Sequence, residues 1–232
     1  MVEDNEINRF VVRSMLEADG HKVTEAHDGQ EGINLAHGQR FDLILMDISM
    51  PVVDGRVATQ TIRAGDGASA QTRIVALTAN ALPEERADFL ALGMEDVLTK
   101  PLSKPALRAV LGAAPARATP SNHTVLDMNH LSETRDALGE DNFQTMLGKL
   151  DAEIAAVAGW AHIDTPLDDL AQHSHKLAGS ASLFGASDLA QGLRDLETSA
   201  KSKDAHGVAQ RAADVTALSL RTRQALAALK AT

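Results

Sequence analysis

Two sets of side chains in this 232-residue sequence stand out by type and placement: one suited to carrying a phosphoryl group on a carboxylate, the other a histidine with an open approach. Asp47 closes an apolar run and opens Asp47-Ile-Ser-Met-Pro51-Val-Val-Asp54-Gly55, where Pro and Asp-Gly turn the chain at once. Glu3 and Asp4 follow a short apolar piece, Thr78 ends the run Ile74 to Leu77, and Lys100, followed by Pro101, ends Val97-Leu98. A carboxylate nucleophile, acids that can share a cation, a hydroxyl and an ammonium are what an aspartyl phosphoryl group needs. Clustered carboxylates repel one another unless a cation sits among them, and an all-oxygen donor set with open positions favours Mg²⁺. The second set centres on His175, whose imidazole shares one side of a helical pattern with the small residues Ala171, Gly179 and Ser182. Gly179 costs about 1 kcal/mol against Ala in a helix interior, and a clear path to the ring accounts for its presence. His173 lies about 200° from His175 around a helix, so the two do not converge on a metal.

The elements that must position these groups are legible in the patterning. Before residue 112, short apolar runs alternate with helical patterns: Phe41 to Met46, Arg73 to Leu77 and Met94 to Leu98. That rhythm predicts an α/β fold with a doubly wound parallel sheet, in which ligands bind at the carboxyl ends of strands. Asp47, Thr78 and Lys100 all stand at such ends. After residue 124 no strand pattern occurs, and apolar residues recur by threes and fours. Phe143, Leu147, Leu150, Ile154 and Val157 form one such series. Leu189, Leu193 and Leu196 form another, and Val208, Val215, Leu218 and Leu229 a third. These stripes predict an antiparallel helical bundle. The helix carrying His175 is expected to start with Thr165 as N-cap, Pro166 in its first turn, and Asp168 and Asp169 near the positive end of its dipole. Its seam is expected at Leu167, Leu170, Ser174, Leu177, Ala181 and Phe184. Between the halves, residues 113–123 are small, Pro-bearing and aperiodic, which reads as a flexible linker with an r.m.s. span of roughly 18 Å. The expected division is therefore 1–112, linker 113–123 and 124–232.

Composition narrows the function. Acidic residues outnumber basic ones on both sides of the linker, and the net charge is -10, the wrong sign for nonspecific binding to nucleic acid or anionic membranes. With no cysteine, thiol nucleophiles, disulfides and Cys-based metal sites are excluded, and a cytoplasmic location is expected. The most apolar stretch, Phe41 to Val53, is too short and too charged to cross a bilayer.

Val2-Glu-Asp-Asn5, Leu45-Met-Asp-Ile-Ser-Met-Pro-Val-Val-Asp-Gly55, Ala76-Leu-Thr-Ala79 and Leu98-Thr-Lys-Pro101 together resemble the receiver domain of bacterial response regulators, over essentially residues 1–112. The resemblance implies a flavodoxin-like, five-stranded sheet, with Asp47 as phosphoacceptor and Thr78 as the switch hydroxyl. It also implies that Lys100 contacts the phosphoryl group, that Mg²⁺ is held by Glu3, Asp4, Asp47 and the Ser49 carbonyl, and that the bond before Pro101 is cis. Two departures stand out. Leu98 replaces the Tyr or Phe that many receivers carry two positions before the Lys. Only Met1 and Val2 remain of a first strand that normally begins several apolar residues earlier. A truncated strand forfeits burial comparable with a domain's whole stability, so the natural polypeptide is expected to start upstream.

His175-Lys-Leu-Ala-Gly-Ser-Ala-Ser-Leu-Phe-Gly185 resembles the signature of histidine-containing phosphotransfer (HPt) domains, a likeness that covers residues 124–232. It implies an all-α four-helix bundle whose exposed imidazole takes phosphate from a receiver aspartate and passes it to another. The usual motif has Lys three positions after the His; this chain has Ala178, so the helper charge is absent or comes from Lys176. The other histidines (His21, His27, His37, His123, His130, His162 and His206) are expected at the surface. A receiver followed by an HPt domain resembles the C-terminal half of a hybrid sensor histidine kinase, without its ATP-binding part. The expected route runs from a kinase phosphohistidine to Asp47, then to His175, then to a downstream response regulator receiver, in a phosphotransfer protein rather than an enzyme. A linker of this length gives effective concentrations on the order of millimolar, so transfer within one chain is expected to dominate. Two alternatives are a binding module that sequesters a two-component partner without phosphotransfer, and an aspartyl-phosphate hydrolase of the haloacid dehalogenase type. The latter family uses Asp-x-Asp, and Ser49 occupies the second place here.

Overall fold

The computed structural model describes residues 1–79, 82–112, 125–162 and 164–230. The chain divides into two compact units, Met1–Ala118 and Thr119–Thr232. The expected linker, 113–123, lies outside the described residues.

In the first unit the order is α1 (Glu6–Ala18), α2 (Gly29–Gly38), β1 (Leu43–Asp47), α3 (Gly55–Ala64), β2 (Arg73–Thr78), α4 (Pro83–Ala91), β3 (Asp96–Thr99) and α5 (Lys104–Val110). The strands are parallel in the order β1-β2-β3, with Asp47 opposite Leu77 and Thr78 opposite Thr99. β1 and β2 are buried along almost their whole length, as strands covered on both faces must be, which is why they read as continuous apolar runs. Short polar side chains start most helices of this unit. Asn5 caps α1, Asp28 caps α2, Asp54 caps α3 and Ser103 caps α5, each side chain accepting from the backbone of the first turn.

The sheet corrects the expectation of five strands, since three are formed among the described residues. The places of the other two are each reduced to one rung: Val2 makes isolated parallel bridges to Ala26 on one side and Met46 on the other. The single rung is nevertheless fully bonded. Val2 N donates to Leu45 O at 2.8 Å, Asp47 N to Val2 O at 3.0 Å and Glu3 N to Ala26 O at 3.1 Å. These bonds fix Glu3 beside the end of β1.

The second unit contains α6 (Met128–Leu138), α7 (Glu140–Ala155), α8 (Val157–Trp160), α9 (Leu167–Leu183), α10 (Ser187–Lys201) and α11 (Ala205–Lys230). Instead of four helices there are six among the described residues. The four longest form a closed set of neighbours: α10 packs on α9 and α11, and α7 on the same two, while α6 lies against α7 and α9. Phe143, Leu147, Leu150, Leu170, Phe184, Leu189, Leu193 and Leu196 fill the core. The start of α9 differs from expectation. Pro166 is the capping position, without a side-chain cap bond, because the Thr165 hydroxyl donates instead to Trp160 O at 2.7 Å. His130, expected at the surface, is half-buried, and burial holds its imidazole below the ordinary histidine range.

Asp127 caps α6, accepting from Asn129 N at 3.0 Å and His130 N at 3.2 Å. Asp127→Ala is expected to lower the stability of the helical unit by about 1 kcal/mol. Trp160, the chain's single tryptophan, lies in that unit, so its fluorescence during urea titration measures the loss without interference from the sheet unit.

Candidate functional site

The acidic site is assembled from three strand ends. Asp47 ends β1, Thr78 ends β2, and Lys100 follows β3, where its backbone N–H donates to Thr78 O at 2.7 Å. The Lys100–Pro101 bond is cis. Glu3 and Asp47 are each 1% exposed and Thr78 is 8% exposed. Lys100 Nζ donates to both buried acids, at 2.7 Å to Glu3 Oε2 and 2.7 Å to Asp47 Oδ2. Asn8, a residue the sequence reading passed over, donates its amide to the other Glu3 oxygen at 3.0 Å. Asn8 lies outside every motif, and only the helical register that follows the Asn5 cap brings it back over Glu3.

The turn after Asp47 is as tightly set as its motif suggested. Ser49 N donates to Asp47 Oδ1 at 3.1 Å, Ile48 N bonds Leu77 O, and Gly55 N bonds Ile48 O, both at 3.0 Å. A Cβ on Gly55 would stand 2.1 Å from the Asp47 carbonyl oxygen, closer than any side chain can approach. Only glycine lets α3 begin this close to β1. Asp54 is a helix cap, accepting from Val57 N at 2.8 Å.

One oxygen from each of Glu3, Asp4 and Asp47 can be chosen so that all three lie within 4.8 Å of one another, with Glu3 and Asp47 buried and Asp4 half-buried. Burial pushes the Glu3 carboxyl up, and the charge of Asp47 pushes it further; Lys100 and Asn8 only partly offset this. For Lys100, burial is the largest single influence and pulls it down, but the charges and hydrogen bonds of Asp47 and Glu3 together outweigh it and hold the ammonium above the ordinary lysine range. Among these four groups, one ammonium faces three carboxylates, and every available donor is oxygen. Such a set suits a hard divalent cation such as Mg²⁺.

In the helical unit, most of the expected seam is buried: Leu170, Ser174, Leu177, Ala181 and Phe184 are, while Leu167 at the first residue of α9 is half-buried. His175 stands beside that seam with its side chain 19% exposed. Its Nδ1 lies 3.1 Å and 3.2 Å from the two carboxylate oxygens of Glu197 on α10, and Lys201 Nζ donates to Glu197 Oε1 at 2.6 Å. Burial pushes the Glu197 carboxyl up, but hydrogen bonds and charge from His175 and Lys201 prevail and hold it below the usual carboxylate range. Sequence reasoning missed both partners. Glu197 and Lys201 form an i,i+4 pair, which on its own reads as an ordinary solvated helix pair. Ala178, where the HPt motif has Lys, is buried. His173 stacks on Trp160 with ring centroids 5.3 Å apart.

Residues 1–112 match the family model of the response regulator receiver domain. The chain is 32% identical over 224 residues to the sensor protein GacS of Pseudomonas syringae pv. syringae, covering 88% of the chain and 25% of that protein. It is 35% identical over 209 residues to the sensor histidine kinase AruS of Pseudomonas aeruginosa, covering 86% of the chain and 20% of that protein. With the two-component response regulator ORR41 of Oryza sativa subsp. japonica it shares 41% identity over 115 residues, 48% of the chain and 88% of that protein. The chain thus spans about a quarter or less of the length of the two sensor proteins.

Proposed function

Because the chain belongs, through residues 1–112, to the response regulator receiver family, we propose that it is a phosphorelay protein that accepts a phosphoryl group on Asp47 and passes it through His175 to a separate response regulator. The receiver occupies 1–112, the linker 113–123 and an HPt domain 124–232. The observation that carries the receiver half is the position of Lys100 Nζ, 2.7 Å from both Asp47 and Glu3 at one end of a parallel sheet. The relay half is supported by the contact of Glu197 with the Nδ1 of the half-buried His175 ring. It is also supported by alignments with GacS and AruS that cover 88% and 86% of the chain, well beyond the receiver.

The residues divide the work. An oxygen of Asp47 attacks the phosphorus of a kinase phosphohistidine; the new O–P bond forms as the N–P bond breaks and its electron pair returns to the kinase imidazole. Lys100 lies where its ammonium can turn from the carboxylates to an equatorial phosphoryl oxygen, and the Thr78 hydroxyl is the second donor. Glu3, Asp4, Asp47 and the Ser49 carbonyl would hold Mg²⁺, which supplies positive charge to the transferring group. In the second transfer a ring nitrogen of His175 takes the phosphoryl group and the Asp47 carboxylate leaves.

The test is to incubate the full chain with Mg²⁺ and acetyl phosphate, or with a phosphorylated histidine kinase, and to map the label by mass spectrometry. An alkali-labile adduct on Asp47 and an acid-labile one on His175 are expected. Both side chains remaining unmodified after exposure to a competent kinase would overturn the reading.

A further inference from the structure

Two consecutive residues of α1 hold Glu3 at different points. Arg9 donates from Nη1 to the Glu3 backbone oxygen at 2.8 Å, and Asn8 donates from Nδ2 to the carboxylate oxygen Oε1 at 3.0 Å. Lys100 takes the other carboxylate oxygen, Oε2, and Asn5 N, 3.4 Å from Oε1, adds a longer contact. The Arg9 bond, with the bond from Glu3 N to Ala26 O, fixes the main chain of Glu3. Asn8 acts on the carboxylate itself. With Lys100 on one oxygen and Asn8 on the other, the plane of the acid is set.

Asn8 is 5% exposed. Because an ionised carboxylate only accepts hydrogen bonds, the amide must turn its NH₂ group toward Glu3. The other end of that planar group, Oδ1, is closed to solvent and accepts no hydrogen bond among the described residues. A buried acceptor left unpaired is destabilising, and each one in a native fold calls for a reason. Mg²⁺ gives up water reluctantly and keeps several water ligands in a protein site. The hydrogens of such waters point away from the ion and need acceptors close to its ligands. We propose that Asn8 is a positioning residue for a hydrated divalent cation: Nδ2 fixes the Glu3 carboxylate, and Oδ1 accepts a hydrogen bond from a water carried by the ion. This rests on the reading of Glu3, Asp4 and Asp47 as an Mg²⁺ site. An amide suits both tasks, since it carries a donor and an acceptor; aspartate would offer acceptors alone, and leucine neither.

The experiment is isothermal titration calorimetry of the full-length protein with Mg²⁺ at constant ionic strength. Wild type is compared with Asn8→Leu, which keeps the size, and Asn8→Ala, which suits a helix and avoids crowding. Residues that hold metal ligands in place carry tenfold to a hundredfold in affinity, and Kd for Mg²⁺ is expected to rise by about that factor in both variants. Urea unfolding followed by circular dichroism, with Mg²⁺ and with EDTA, separates positioning from packing. A packing defect lowers both midpoints together and leaves the gap between them as in wild type, whereas loss of positioning narrows the gap. Where one variant fails to fold, the other decides. A folded variant with the wild-type Kd and the wild-type gap overturns the role of Asn8 and leaves the cation site standing. Wild type that takes up no Mg²⁺ at millimolar concentration removes the site itself and this assignment with it. If wild type binds Mg²⁺, the variants bind it less well and Asp47 never takes label, the role of Asn8 stands and the phosphoacceptor reading falls.

Discussion

Asp47→Asn is expected to reduce labelling of the sheet unit to background and, with a kinase as donor, to remove label from His175 as well. An amide has no carboxylate oxygen with which to form an acyl phosphate, and the nearby acids cannot replace it. Glu3 is occupied by Lys100 and Asn8, and Asp54 caps α3. Loss of label should not come from unfolding. Asp47 is one of the two influences that push the Glu3 carboxyl up, so ionised Glu3 is at present a burden on the folded state. A carboxyl whose folded pKa is raised contributes stability below its unfolded value, near 4.3, and that contribution is lost as pH rises through the folded value. With Asp47 neutral, Glu3 should lie closer to an ordinary glutamate, and stability should fall less between acid and neutral pH than in wild type. Urea titrations followed by far-UV circular dichroism at several pH values measure this. A variant that loses label and also unfolds in dilute buffer would assign Asp47 a structural role instead.

How far the sequence disclosed this site depended on which interactions were local. The strand ends were legible because an apolar run followed by Asp-x-x-x-Pro or Lys-Pro can end in only a few ways, and Asp47, Thr78 and Lys100 stand where that reasoning placed them. The pairing made by the short N-terminal piece was not legible. Val2 alone still bridges Ala26 and Met46, because register in a sheet is held by neighbouring strands and not only by strand length. The helical unit was read less well. The seam of α11 follows Val208, Ala212, Val215, Ser219, Thr222 and Leu226, all buried. The sequence reading had Val208 and Val215 right but continued to Leu218 and Leu229, both half-buried, since nothing in the pattern marks Ser219 and Thr222 as enclosed. Glu197 escaped for the opposite reason. Its contact with His175 is made between two helices, and no spacing within either one predicts it.

Lys100→Met is expected to lower the stability of the sheet unit by about 3–5 kcal/mol, the usual cost of removing one partner from a buried ion pair. The cost is high because the change strands two acids at once. Glu3 and Asp47 side chains are each 2% exposed, and both accept from the same ammonium at 2.7 Å. Methionine keeps most of the aliphatic length, so a packing defect contributes little, and the loss reports the uncompensated charge. Against a total of roughly 5–15 kcal/mol for a domain, much of the folded population is at stake. The same geometry predicts a partial remedy. If Glu3, Asp4 and Asp47 hold a divalent cation, Mg²⁺ stabilises the folded state by RT ln(1 + [Mg²⁺]/Kd), about 2.7 kcal/mol at one hundred times Kd. The variant should then be markedly more sensitive than wild type to a chelator, because in wild type Lys100 already supplies one of the compensating charges. Unfolding followed by circular dichroism with Mg²⁺ and with EDTA gives the comparison, while the Trp160 transition of the helical unit serves as an internal reference. Equal destabilisation under both conditions would mean that the three carboxylates do not act together as a cation site, whatever their separation.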